Sequence, residues 1–110
     1  MKTLSVVRKI EIPVYNDVRN YYVKTRDVAM VLGVKQPFEF TAGIKKLLGN
    51  EAILKGEKTE AFRLSEDSSR TTFVSCNSLF EYLNNPSAKV NKMIPSKKDD
   101  LLDELSNFLI

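Results

Sequence analysis

The sequence contains no histidine and no tryptophan, one cysteine, and only four glycines in 110 residues. Without histidine, the chain has no Ser-His or Cys-His pair and no histidine ligand for a metal. Cys76 lacks a second cysteine for an internal disulfide or a zinc site, and a single cysteine fits a reducing compartment. The glycines are scattered, so no Walker sequence and no GxGxxG loop is present. We therefore expect no catalytic activity, no cofactor and no metal.

The sequence also has no long apolar run. No segment approaches the ~18 apolar residues that a membrane-spanning helix needs. Residues 1–13 lack the continuous apolar core and small-residue cleavage site of a signal peptide. With 43% hydrophobic and 28% charged residues, the chain has the composition of one folded domain. We expect a cytoplasmic protein that has no membrane partner.

The net charge of +3 hides a division along the chain. Residues 99–110 contain four acids and no base, and therefore carry −4, which leaves +7 on residues 1–98. A basic body favours nucleic-acid binding through neutralisation of phosphates. The alternative is that the lysines serve only solubility.

The stretch from Tyr21 to Leu48 predicts a short strand, a helix, a tight turn and a second helix. Thr25 is a suitable N-cap, and Gly33 fits the left-handed position that ends many helices. Pro37 suits the first turn of the next helix, which Gly49 closes. This outline is that of a helix-turn-helix, whose second helix lies in the major groove of DNA. The alternative is an ordinary pair of packed helices with solvated lysines.

Apolar spacing gives each of these helices an inward face. In the first helix this face is formed by Val28, Val31 and Leu32. In the second helix the residues at i, i+4, i+7 and i+8 are apolar: Phe40, Ile44, Leu47 and Leu48. Lys45 and Lys46 are left to point away from the core.

The rest of the chain predicts strands and two further helices. Residues 4–15 are read as one strand that pairs with Tyr21–Val23, with Pro13 at a sheet edge or near a strand end. Later strand candidates are Ile53-Leu54, Ala61–Leu64 and Thr71–Ser75. A helix is predicted over Leu79–Asn84, capped by Asn77 or Ser78, and a last helix opens at Ser96. The fold class is α+β, a small antiparallel sheet of hairpins with three to four short helices that include a helix-turn-helix-like pair.

The last helix carries an apolar stripe that must be covered: Leu101, Leu102, Leu105, Phe108 and Leu109. We treat residues 1–98 as a single α+β domain and residues 96–110 as a C-terminal amphipathic helix. This helix either packs back on its own chain or meets its copy in a homodimer.

Two segments resemble the Bro-N domain, the N-terminal module of baculoviral Bro proteins and many phage antirepressors. In YYVKTRDVAMVLGVKQP, the matching positions are Tyr22, Val23, Arg26, Asp27, Val28, Ala29, Leu32, Gly33 and Pro37. In TTFVSCNSLFEYLNNPS, they are Phe73, Val74, Asn77, Leu79, Phe80 and Leu83. The chain lacks the family's histidine and arginine after the start of the second helix, and the glycine before Leu79. The resemblance implies a small, non-catalytic DNA-binding domain of a phage or viral regulator of transcription, in the cytoplasm of the host cell.

Two functions remain open. The first is DNA binding, with phosphates contacted by Lys24, Arg26, Lys35, Lys45 and Lys46 and with Gln36 placed for a base edge. A basic hairpin would add Lys55, Lys58, Arg63 and Arg70, unless this hairpin is only a solvated loop. The second is a protein-interaction module that inhibits or sequesters a host or phage regulatory protein through an acidic surface of that partner.

Overall fold

The computed structural model describes residues 2–6, 10–16, 20–55, 71–86, 88 and 94–109, and within them the chain has the predicted α+β fold. The strands are β1 (Lys2–Val6), β2 (Ile10–Asn16), β3 (Tyr21–Lys24), β4 (Ile53–Lys55) and β5 (Thr72–Ser75). The helices are α1 (Thr25–Leu32), α2 (Pro37–Leu48), α3 (Cys76–Asn84) and α4 (Pro95–Leu109). A 3₁₀ turn, Asn50–Ala52, joins α2 to β4. The strands form one antiparallel sheet in the order β1-β2-β3-β5-β4.

The N-terminal segment differs from the single strand that the sequence predicted. It contains two strands, β1 and β2, which pair with Thr3 opposite Pro13. β2 is therefore an inner strand in the strand order, but at Pro13 it is paired on the β1 side only, so the proline lies at a local edge of the sheet as expected. The proline is tolerated because β3 pairs with β2 only at Tyr15 and Asn16, so no β3 residue lies opposite Pro13.

The two faces of the sheet bury different clusters. Val23 lies opposite Val74, which also lies opposite Ile53, and all three belong to the main core with the helices. Residues on the other face form a second, smaller cluster: Tyr22 and Phe73, with Tyr15 and Leu54 packed against them. The alternation of side chains along each strand accounts for this division. Both faces of the central strands are thus apolar, while the helices cover one of them.

Three helix starts differ from the predicted caps. Lys24 is the N-cap of α1, and Thr25 is instead its first helical residue, buried with its hydroxyl hydrogen-bonded to the Thr72 hydroxyl. Ser75 caps α3, accepting a hydrogen bond from the Ser78 backbone N–H at 3.1 Å. α4 begins at Pro95, one residue before Ser96.

Helix α4 folds back on its own chain. It packs mainly against β1, α3 and α1, and Leu101 and Leu105 are both 0% exposed within the main core. The Phe108 ring meets the Tyr21 ring edge-on, with centroids 4.9 Å apart. A homodimer through the full apolar stripe would require these buried leucines to leave the core, so in this structure they are not available to a partner.

The turn of the helix pair is fixed by backbone hydrogen bonds at the end of α1. Gly33 has a φ of 79°, the left-handed conformation predicted for it, and the Val34 N–H donates to the Ala29 carbonyl at 2.9 Å. The Ile94 N–H donates to the Leu32 carbonyl at 2.8 Å, which satisfies an acceptor left over at the end of α1. The start of α4 is therefore attached to the end of α1.

Helix α2 approaches α3 closely at Gly43. An alanine Cβ at this position would lie 2.6 Å from the Tyr82 hydroxyl oxygen. One turn away, the Phe40 and Tyr82 rings pack edge-on with centroids 5.7 Å apart. The absence of a side chain at Gly43 thus sets how deeply α2 sits on the core.

No helix in the described part of the chain has the length and apolar character needed to cross a bilayer.

Candidate nucleic-acid interface

Helix α2 presents one side to the core and the other to solvent. Phe40 and Ile44 are buried, as their spacing predicted. The exposed side consists of residues at i, i+4, i+7 and i+8: Phe38, Ala42, Lys45 and Lys46. Both lysines are in the last turn of α2, where a positive charge interacts favourably with the helix dipole. They therefore stabilise α2 as well as making its surface positive. The helix is not covered by the sheet, and its lysines face solvent.

Helix α1 and the turn extend this exposed surface. Arg26 and Met30 are exposed on α1, one turn apart, while Val28 and Leu32 are buried. Lys35 and Gln36 are both exposed in the turn. We call the combined surface the α1–α2 face, and it comprises Arg26, Met30, Lys35, Gln36, Phe38, Ala42, Lys45 and Lys46. It carries four basic residues, and the half-buried acid Glu39 lies two turns before Lys46 on the same side of α2.

An open groove of about 500 Å³ lies at one end of the α1–α2 face. Arg26, Phe38 and Lys45 contribute to its lining from the two helices, and Thr71 and Thr72 contribute from β5 and the residue before it. The groove therefore combines two cationic side chains, an aromatic ring and hydroxyl groups. These are the side-chain types that contact phosphates, bases and base edges in complexes with nucleic acids.

The hydroxyl groups of the groove also hold its walls together. Besides bonding to the Thr72 hydroxyl, the Thr25 Oγ1 donates to the Thr72 carbonyl at 3.4 Å. The Thr41 Oγ1 donates to the Pro37 carbonyl one turn earlier, at 3.3 Å. These bonds join the start of α1 to β5 and so fix the two sides of the groove relative to each other. Thr25 is buried, so water does not compete for them.

Two of the predicted contacts lie elsewhere. The Lys24 Nζ is 5.4 Å from the centroid of the Tyr15 ring, a cation–π distance, on the sheet face opposite the helices. Lys24 is therefore not part of the α1–α2 face, because its neighbours Val23 and Thr25 are the ones that point to the helix side. Lys55 is exposed at the end of the edge strand β4. Lys58, Arg63 and Arg70, and the strand candidate Ala61–Leu64, lie outside the described residues.

The sequence reasoning missed the exposed apolar residues of the α1–α2 face. Met30 is 69% exposed and Phe38 is 68% exposed. A signal was available for Phe38, since it lies two residues from the buried Phe40 and shares a helical stripe with Lys45. The contribution of Thr71 and Thr72 had no such signal, because it depends on how β5 packs beside β3.

Cys76 has no role in this surface. Its side chain is fully buried in the main core, and burial raises the pKa of the thiol to about 12. It therefore stays protonated at neutral pH and acts as a small apolar side chain. In the parts of the chain that the structure describes, no group of three or more Cys, Asp or Glu side chains is placed to hold a metal ion.

Comparisons of the chain with protein-family models, with curated proteins and with solved structures found no match in any of the three. The geometry of the α1–α2 face and its groove is therefore the basis for assigning a function.

Proposed function

We propose that the protein is a non-catalytic DNA-binding domain that docks on DNA through the α1–α2 face. The observation that carries this proposal is that two exposed cations, Arg26 of α1 and Lys45 of α2, line one groove. Lys46 is exposed next to Lys45, and Lys35 is exposed in the turn that joins the two helices. The resemblance to Bro-N adds the setting: a regulator of transcription from a phage or virus, of the antirepressor type, in the cytoplasm of its host cell.

The arrangement suits a polyanion for a simple electrostatic reason. The α1–α2 face carries four basic residues against one half-buried acid of α2, Glu39, whereas the acid-rich residues 99–110 belong mainly to α4, which packs against β1, α3 and α1. Each phosphate that a lysine or arginine neutralises releases counterions and makes binding more salt-dependent. Gln36 adds an exposed amide beside the first turn of α2, where it can reach a base edge, adenine being the usual partner of glutamine.

The test is the salt dependence of binding to a mixed-sequence DNA duplex, measured by fluorescence anisotropy from ~50 mM salt upward. We expect Lys45→Glu with Lys46→Glu to abolish binding and to leave the fold intact, because both side chains are exposed. The milder pair Lys45→Gln with Lys46→Gln should make the plot of log affinity against log salt shallower by about 2, one unit for each phosphate contact.

The chain offers a control for net charge. Ser106→Glu with Asn107→Glu lowers the net charge by the same two units as the glutamine pair, at two exposed positions of α4. We expect this variant to bind DNA nearly as well as the natural sequence. If the glutamine pair in α2 and the glutamate pair in α4 lose DNA affinity equally, binding depends on overall charge and the α1–α2 face is not the site. If the natural sequence ignores duplex DNA at ~50 mM salt, the proposed function is refuted.

A second function is favoured by one specific observation. Met30 and Phe38 are both more than two thirds exposed on the α1–α2 face, and methionine and phenylalanine are enriched in protein interfaces. On this second proposal, the face binds an acidic surface of a regulatory protein. It is supported if the protein ignores DNA and captures one host protein, and if that capture is lost with Met30→Ser and with Phe38→Ser.

A further inference from the structure

Phe38 stands where an aromatic ring contributes little to the fold. It is the second residue of α2 and belongs to the solvent side of that helix, opposite the buried Phe40. Its side chain is largely exposed and helps to line the groove, together with Arg26 and Lys45. Phe38 therefore shares this groove with two cationic side chains and with Thr71 and Thr72.

The contents of the groove match one particular ligand chemistry. A nucleotide has a flat apolar face, polar edges and a negatively charged phosphate, and the groove offers a ring, hydroxyl-bearing residues and two cations. Its volume of about 500 Å³ lies within the ~300–1,000 Å³ that is typical of pockets for small ligands. A base inside a duplex exposes only its edges, whereas an unpaired base also exposes the face that an aromatic side chain stacks on.

We propose that this groove binds an unpaired nucleotide of DNA, with its base stacked on Phe38 and its phosphates beside Arg26 and Lys45. This inference rests on the proposed DNA-binding function and narrows it, because it predicts a preference for DNA that contains unpaired bases. The lysines of α2 contact the backbone of any DNA, and the preference comes from the ring.

The experiment compares three DNAs of the same sequence: a full duplex, a duplex with one bulged base, and a single strand. The natural protein should bind the bulged and single-stranded forms about 5- to 150-fold more tightly than the duplex, the range for one stacked base. Phe38→Ala should remove this preference and leave the duplex affinity within about twofold, because duplex binding depends on the cations.

Three further variants separate base stacking on the Phe38 ring from simple apolar contact and from a general effect of the exposed surface. Phe38→Trp should keep the preference, whereas Phe38→Leu should lose it, since leucine is apolar but has no aromatic face. Ile94→Ala is the matched control, because Ile94 is an apolar side chain that is 45% exposed and belongs neither to the α1–α2 face nor to the residues lining the groove. It should change none of the three affinities. Thermal unfolding of each variant checks that the fold is retained.

The outcomes distinguish this inference from the function on which it rests. If the natural protein binds all three DNAs equally, or if Phe38→Leu keeps the preference, the stacking proposal is overturned while DNA binding stands. Both proposals are supported if Lys45→Gln with Lys46→Gln weakens binding to all three DNAs and Phe38→Ala weakens binding only to the bulged duplex and the single strand. If the protein binds none of them, both are refuted.

Discussion

The substitution Gly43→Ala tests whether the close approach of α2 to α3 is as tight as the structure indicates. The added Cβ would lie 2.6 Å from the Tyr82 hydroxyl oxygen, which is closer than real Cβ contacts. Tyr82 is buried and packs edge-on against Phe40, so it cannot simply swing into solvent. We therefore expect α2 to shift outward, or Tyr82 to leave its place, when residue 43 gains a side chain.

The expected magnitude follows from two opposing effects. Overpacking of a core typically costs about 1–3 kcal/mol. Alanine is favoured over glycine inside a helix by about 1 kcal/mol. The net effect of Gly43→Ala on the free energy of unfolding is a loss of about 0–2 kcal/mol. In a Tyr82→Phe background the hydroxyl is gone, and the nearest ring carbon would lie 3.5 Å from the new Cβ, an ordinary contact. There, Gly43→Ala should raise stability by up to about 1 kcal/mol.

The assay is a double-mutant cycle measured by urea unfolding. The single variants are Gly43→Ala and Tyr82→Phe, the latter expected to lose about 1 kcal/mol with its hydroxyl. The coupling energy should be about 1–3 kcal/mol. Its sign should be such that the double variant has a higher free energy of unfolding than the two single changes would give if they added. If the two effects add to within about 0.5 kcal/mol, the hydroxyl and residue 43 are not in contact and the described packing of α2 on α3 is incorrect.

Three further predictions concern other parts of the core. Leu105→Ala should lower the free energy of unfolding by about 2–5 kcal/mol, because Leu105 is fully buried. The control Ser106→Ala should change it by less than about 0.5 kcal/mol. A similarly small loss for Leu105→Ala, measured by urea unfolding, would contradict the fold-back of α4. Gly33→Ala should cost about 1–2 kcal/mol in the same assay through its left-handed backbone, and its Cβ would also lie 2.6 Å from the Ile94 Cδ1, so the Ile94 side chain must shift. Cys76 should resist alkylation in the folded protein and react on unfolding, as followed by mass spectrometry. Because burial raises its pKa from 9.0 to about 12, the unfolded chain loses this proton first, so the contribution of Cys76 to stability should fall between pH 9 and about 12.

The helix pair could be predicted from sequence because its signals are local. Gly33, Pro37 and Gly49 mark the ends of α1 and α2, and the apolar spacing within each helix identifies its buried side. Strands β4 and β5 were also predicted close to their observed bounds, since turn residues and an apolar run define them.

The remaining features depend on packing that no short pattern reports. Between β1 and β2 the sequence of residues 7–9 contains no glycine, proline, asparagine or aspartate that would predict a turn. At α3, Ser75, Asn77 and Ser78 are all of residue types that cap helices, and in the structure Ser75 is the N-cap. Lys24 was assigned to the DNA surface by its charge alone, although strand alternation places it with Tyr22 on the opposite sheet face.

The packing of α4 against β1 brings together the earliest and latest elements of the described chain. During synthesis, β1 leaves the ribosome long before Leu101 and Leu105 exist. A nascent chain that stops before these leucines can form the turn of α1 and α2 locally, but it lacks part of the core that supports them. An incomplete translation product without Leu101 and Leu105 would therefore carry α1 and α2 on an incomplete core.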